Sequence, residues 1–152
     1  IERSPAHFFP GYTWQEKHPF AEGYYLTGDV VVRNEDGSFQ FAGRDDDIIT
    51  TAGYRVGPTD VENSVLTHPA VAESAAVGQP DEIRGEIIKS YVVLRDGFEA
   101  SDALADEIRQ QVRDRLSAHA FPRVIEFVEE LPKTPSGKIQ RFKLRADAAD
   151  KA

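Results

Sequence analysis

Hydrophobic positions change their period several times along the chain. Leu104, Ile108, Val112 and Leu116 recur every four residues with charges between them, which predicts an amphipathic helix over about residues 101–117, capped by Ser101. Val61, Val65 and Leu66 form a second helical face. It opens at Pro58, which suits a first helical position, and stops at His68-Pro69. Val71 to Val77, Ile87 to Leu94 and Val124 to Val128 read as strands, with Ile88, Val92 and Leu94 on one face of the second. Gln79 to Glu86 reads as a polar loop between the first two. Val30, Val31 and Val32, the turn signal Asn34-Glu35-Asp36-Gly37, and alternating Phe39 and Phe41 predict a β-hairpin over roughly residues 28–43. Ile48 to Thr51 is a short strand and Gly53-Tyr54-Arg55 a turn. A short basic helix follows Lys138 and reaches about Arg145.

Strands at 71–77, 87–94 and 124–128 with helices near 58–67 and 101–117 predict a compact α/β (α+β) domain, a central three-stranded sheet flanked by helices. The hairpin precedes it. Asp45-Asp46-Asp47 makes a poor strand interior and divides the chain into residues 1–45 and 46–152. Residues 1–23 carry Pro5, Pro10, Gly11, Pro19 and Gly23 and read as a loop-rich leader, the end of a preceding domain. The chain opens on Ile1 and is expected to be cut from something longer.

Composition narrows the classes. The 152 residues are 40% hydrophobic and 29% charged, which fits a soluble globular domain. No apolar run approaches the length of a membrane helix, and no signal-peptide pattern opens the chain. Cysteine is absent, which excludes disulfides, thiolate metal sites and cysteine nucleophiles. The net charge of −8 is unevenly spread. Lys133, Lys138, Arg141, Lys143 and Arg145 fall in a stretch without acids, so the rest of the chain is strongly acidic and a poor match for extended nucleic-acid binding.

The candidate chemistry comes in modest pieces. His7, His18, His68 and His119 show no ligand spacing, so a metal site is not expected. Gly137-Lys138 lacks the rest of a phosphate loop, since position 132 is Pro and residue 139 is Ile. It leaves either a solvated loop lysine or an ammonium able to swing into a cleft. Asp29 follows a glycine turn at a strand start, where it is either a turn aspartate or an acceptor for ribose hydroxyls. Arg44 and Arg55 flank glycines, as surface ion-pair partners or as phosphate and ribose contacts.

Taken in order, these pieces resemble a known family. Tyr25-Leu26-Thr27-Gly28-Asp29, Gly43-Arg44-Asp45-Asp46-Asp47-Ile48-Ile49, Gly53-Tyr54-Arg55-Val56-Gly57-Pro58, His68-Pro69-Ala70-Val71, Pro80-Asp81 with Arg84-Gly85-Glu86, and Leu131-Pro132-Lys133-Thr134 with Ser136-Gly137-Lys138-Ile139-Gln140-Arg141 are similar to the carboxyl-terminal part of AMP-forming acyl-CoA synthetases, in the adenylate-forming superfamily. The resemblance covers about residues 20–146 and is nearest the acetyl and medium-chain branch.

The resemblance implies a cytoplasmic ligase of fatty-acid metabolism that joins a carboxylic acid to ATP as an acyl-adenylate, then transfers the acyl group to CoA. Residues 1–45 would end the large adenylating domain, which holds Mg2+ and most of the ATP site. Residues 46–152 would be the mobile C-terminal domain, and the fragment alone would be inactive. Lys138 would be the adenylation lysine, Asp29 and Arg44 nucleotide contacts, and Asp46 the hinge. Gly53 would line the pantetheine passage, and Arg55, Arg84 and Arg113 would meet CoA phosphates. His119-Ala120-Phe121-Pro122 departs from a Tyr-Lys pair common among relatives, removing one phosphate contact. Two rivals share the fold: an adenylation domain serving a carrier protein, and a non-catalytic interaction module.

Overall fold

The computed structural model describes residues 20–22 and 24–152, and these divide into two compact units, up to Asp46 and from Asp47 onward. Nearly all of the expected leader, with His7 and His18, lies outside the described residues.

The first unit consists of two antiparallel ribbons. Strands β1 (Phe20–Ala21) and β2 (Tyr24–Tyr25) form one, and β3 (Asp29–Arg33) and β4 (Phe39–Arg44) form the expected hairpin. Its turn closes through the Ser38 amide donating to Asp36 Oδ1 at 2.9 Å and the Gly37 amide to the Asn34 carbonyl at 3.0 Å. Val31, Val32, Phe39 and Phe41 all remain exposed. Adjacent valines point to opposite faces, so the hairpin is apolar on both sides.

The second unit is a mixed sheet with helices on both faces. Its elements are β5 (Ile49–Thr51), β6 (Tyr54–Val56), α1 (Pro58–Leu66), β7 (Val71–Asp81), β8 (Gly85–Leu94), α2 (Asp102–Arg115), β9 (Val124–Phe127) and α3 (Arg141–Asp150). Strand β8 is central. Antiparallel β7 runs along one edge, while parallel β9 and, at Gly85, antiparallel β5 share the other. The three expected strands therefore lie together, but the sheet has five, because β5 and β6 join it. Two expectations change in detail. Residues Tyr54 and Arg55 belong to strand β6, the turn being Ala52-Gly53. The expected loop from Gln79 to Glu86 shrinks to 82–84, since β7 continues through Asp81.

Alternation along β8 sorts the core into two layers. Ile88 and Val92 face α1 and α2, packing with Val61, Val65, Ile108 and Val112. Tyr91 faces α3 and packs with Leu144, Ala148, Val77 and Leu131. Helix α2 starts as predicted, with the Leu104 amide donating to Ser101 Oγ at 3.2 Å.

Helix α3 is longer than the expected basic segment and is tied down by a polar cluster. Lys89 is only 2% exposed, and its Nζ lies 2.8 Å from Glu126 Oε2. Tyr91 donates to Asp147 Oδ2 at 2.6 Å, and Lys151 reaches Glu126 at 2.7 Å and Asp147 at 2.9 Å. The Asp147 carboxyl is held below its ordinary range by the hydrogen bond from Lys151 and then that from Tyr91. Burial pushes Glu126 up, but hydrogen bonds from Lys151 and Lys89 outweigh it and leave the net shift downward. Burial, then Asp147, pushes the Tyr91 phenol up.

Candidate functional site

The sequence-predicted residues fall into three groups. The first lies in the hairpin unit. Asp29 and Arg44 are register partners across β3 and β4, and Arg44 Nη1 donates to Asp29 Oδ1 at 3.0 Å and to the Thr27 carbonyl at 2.6 Å. Its Nε lies 3.4 Å from Asp46 Oδ1. Hydrogen bonding to Asp29 holds the guanidinium in its charged form. Asp29 keeps 40% exposure, so its carboxylate can still accept bonds from a ligand.

The second group is the Lys138 loop between β9 and α3. Lys133 and Ile139 form an antiparallel bridge, inside which the Thr134 amide donates to the Lys138 carbonyl at 2.8 Å and the Gly137 amide to the Thr134 carbonyl at 2.9 Å. Gly137 has φ +82°, a conformation glycine adopts without the cost of a side chain. The Lys138 amide donates to Thr134 Oγ1 at 3.1 Å. Lys133 anchors the loop's base through Glu73 at 2.6 Å. Lys138 itself is exposed, and among the described residues no carboxylate pairs with its Nζ. The backbone is braced and the ammonium is presented.

The third group surrounds the β5–β6 turn. Ala52 and Gly53 have φ +49° and +82°, and added side-chain volume at Gly53 would meet open space. The Ala52 amide donates to the Arg84 carbonyl at 3.0 Å, docking this turn on the tip of the β7–β8 hairpin. That tip is shaped by Asp81, whose Oδ1 accepts from the Arg84 amide at 2.8 Å. A cleft of about 350 Å³ runs between Thr51, Arg84, His119, Phe121 and Arg123. Beside it, the guanidinium groups of Arg113 and Arg123 both lie over the Phe121 ring, at 5.6 and 5.2 Å from its centroid. Arg55 lines an adjoining groove with Tyr54 and His119, whose rings stack at 4.0 Å.

Arg84 and Arg55 thus line neighbouring clefts that share His119, Arg113 meets Phe121 of the first, and Gly53 sits in the turn between Ala52 and Tyr54, which line those clefts. Phe121, Arg123 and Arg109 were not anticipated. Arg109 and Arg113 are four residues apart on α2, and that spacing was the available signal. Arg109 also binds the Arg123 carbonyl at 3.1 Å and pairs with Asp106. Among the described residues no three potential metal ligands converge, and no helix is long and apolar enough to cross a membrane.

The second and third groups sit at opposite ends of β7. Lys133 holds the Lys138 loop to Glu73 near the strand's start, whereas Arg84 lies beyond Asp81 at its end. The eight-residue separation of Glu73 and Asp81 corresponds to roughly 26 Å of extended chain.

Residues 60–138 match the family model described as AMP-binding enzyme C-terminal domain. Over 149 residues, 97% of this chain, the sequence is 50% identical to 4-hydroxybutyrate–CoA ligase 1 of Metallosphaera sedula, of which it covers 26%. Over 145 residues, 95% of this chain, it is 49% identical to acetyl-coenzyme A synthetase of Bacillus subtilis, of which it covers 23%. A crystal structure of a Brucella canis acyl-CoA synthetase superposes on 90% of this chain with a TM-score of 0.69 and 55% identity, the chain covering 26% of it. This chain therefore spans about a quarter of the length of the curated relatives it matches.

Proposed function

The chain belongs to the AMP-binding enzyme C-terminal domain family, and from that premise we propose that it is the C-terminal part of an AMP-forming acyl-CoA synthetase. In this reading residues 46–152 are a mobile domain, and the hairpin unit closes a large adenylating domain. The exposed apolar side chains on both hairpin faces support that second assignment. The whole ligase takes a carboxylic acid, ATP and CoA, and acts in the cytoplasm on an acyl substrate chosen by the large domain.

The observation that carries the proposal is the placement of two unlike groups at opposite ends of β7. One end presents a single ammonium on a braced loop. The other presents several arginines around an aromatic platform, next to an open glycine turn. A rigid domain cannot bring both ends to one reaction centre in one pose. Each end suits a different step.

In the first step the substrate carboxylate attacks the α-phosphorus of ATP, forming the acyl-adenylate as the α–β phosphoanhydride bond breaks and pyrophosphate leaves. Lys138 sits between the two anions and offsets their repulsion, while Asp29 accepts from the ribose hydroxyls and Arg44 fixes Asp29. In the second step the CoA sulfur attacks the acyl carbon, the thioester forms and AMP leaves; Gly53 leaves room for the pantetheine arm, and Arg55, Arg84, Arg113 and Arg123 meet the CoA phosphates. Asp46 is the pivot between the poses. Mg2+ belongs to the large domain in this reading. The 152 residues alone are expected to be inactive.

The arginine cluster favours free CoA over a carrier-borne pantetheine, since a carrier arm lacks the adenosine phosphates that several cations would hold. Supplying the whole ligase with free CoA or with a loaded carrier tests this. Efficient transfer to CoA supports the proposal, and transfer to the carrier alone refutes it.

A further inference from the structure

Helix α3 begins three residues after Lys138, so whatever fixes its first turn also fixes the downstream end of the lysine loop. That anchor is Glu62, a carboxylate on α1 whose side chain is 9% exposed. Its Oε1 accepts from the Ala76 amide of β7 at 2.9 Å. Arg141, the first residue of α3, donates from Nε and Nη2 to the same oxygen at 3.2 and 2.9 Å, and from Nη2 to Oε2 at 2.8 Å. A buried carboxylate with this many donors is well satisfied, and losing them would leave it uncompensated.

Arg141 does not stop at Glu62. Its Nη1 lies 3.6 Å from Asp47 Oδ2, and Arg145, one turn along α3, pairs with Asp47 Oδ1. Asp47 is 13% exposed and is the first residue of the second unit. Its neighbour Asp46 is held by Arg44 in the first unit at 3.4 Å. Two consecutive aspartates are therefore each paired within their own unit.

We propose that Glu62 and Asp47 are positioning residues: through Arg141 and Arg145 they join the Lys138 loop to the base of the pivot as one strut. A rotation at Asp46 is then delivered to the Lys138 amine without slack. This rests on the reading that Lys138 serves adenylation. Stability alone is a weak reason for such an arrangement, because apolar packing of similar volume usually stabilises as well as a buried ion pair. What the charged strut adds is direction. Bidentate guanidinium pairing fixes angle as well as distance, and a misplacement of about 1 Å at a reacting centre can cost 10²-fold in rate.

Glu62→Gln keeps the side-chain volume and an acceptor for the Ala76 amide while removing the charge, and Glu62→Asp is the conservative companion. Three readouts are taken in the whole ligase: acyl-adenylate formation, thioester formation from supplied acyl-adenylate, and amide hydrogen exchange. With Glu62→Gln, adenylation is expected to lose about 10- to 100-fold in kcat, with KM for ATP and the thioester step little changed. Exchange at Gly137, Lys138 and Gln140 should accelerate while α2 and β8 stay protected, and Glu62→Asp should recover part of the adenylation rate. Equal losses in both half-reactions, exchange rising throughout the domain, or no change in either readout would overturn the strut. The Lys138→Ala ligase separates the two ideas. If it adenylates normally, the reading beneath the proposal fails and the strut loses its mechanistic role. If it does not, while Glu62→Gln behaves as the parent, only the strut is refuted.

Discussion

Arg44 reaches Asp29 by passing over Gly28: its Nη2 lies 2.9 Å from where a β-carbon on Gly28 would stand, and its Nη1 is 3.0 Å from Asp29 Oδ1. Gly28 also has φ +75°. The glycine thus serves twice, in the turn and in the crossing of the guanidinium.

Gly28→Ala is expected to displace Arg44 from Asp29 and to strain the turn by about 1–2 kcal/mol. In the whole ligase this should raise KM for ATP in the adenylation step, with little effect on the thioester step when acyl-adenylate is supplied. Steady-state kinetics with ATP varied would check it. An unchanged KM would remove Asp29 and Arg44 from the nucleotide site.

Gly53→Leu is expected to act on the other step. The backbone at Gly53 has φ +82°, so the substitution strains the turn by about 1–2 kcal/mol. The new side chain enters open space rather than the core, so the domain should still fold. In the whole ligase, transfer from supplied acyl-adenylate to CoA should fall while adenylation persists. Loss of both steps together would mean that the turn has only a structural role.

Much of this was legible from local pattern. The four-residue spacing from Leu104 to Leu116 located α2, Ser101 located its start, and the valines, turn residues and phenylalanines located the hairpin. The end of β7 was hidden because Gln79-Pro80-Asp81 reads as a breaker. Strand β7 lies at the sheet's edge, where proline costs no ladder bond on its open side. Strand β6 was hidden because its turn uses Ala52 at positive φ, a place where glycine or asparagine would have signalled it. Lys138, Asp29 and Arg44 were candidates on their own segments, and their proposed roles rest on the family reading. The partners of Arg141 could not be read there, since Glu62 lies 79 residues away and the pairing exists only once α1 and α3 dock at the sheet.

Acid should loosen α3. Asp147 and Glu126 have their carboxyls depressed in the folded state, Asp147 by Lys151 and then Tyr91, Glu126 by Lys151 and Lys89 acting against burial. Depressed carboxyl pKa values stabilise the fold above the unfolded range, and that stabilisation is lost as pH falls through the folded values. The window therefore lies below about pH 4, the unperturbed carboxyl range. Denaturant midpoints measured from neutral to acid pH should fall less steeply in an Asp147→Asn, Glu126→Gln variant than in the parent chain. Identical slopes would show that the cluster does not couple to folding.

The most direct measurement concerns Lys138, which the fold braces at the backbone and leaves exposed at the amine. In the whole ligase, Lys138→Ala should reduce acyl-adenylate formation by about 10²–10³-fold, the usual cost of losing one preorganised charge contact in a transition state. Thioester formation from supplied acyl-adenylate should remain near the parent rate. An equal loss in the two half-reactions, or an adenylation rate that does not change, would contradict the account.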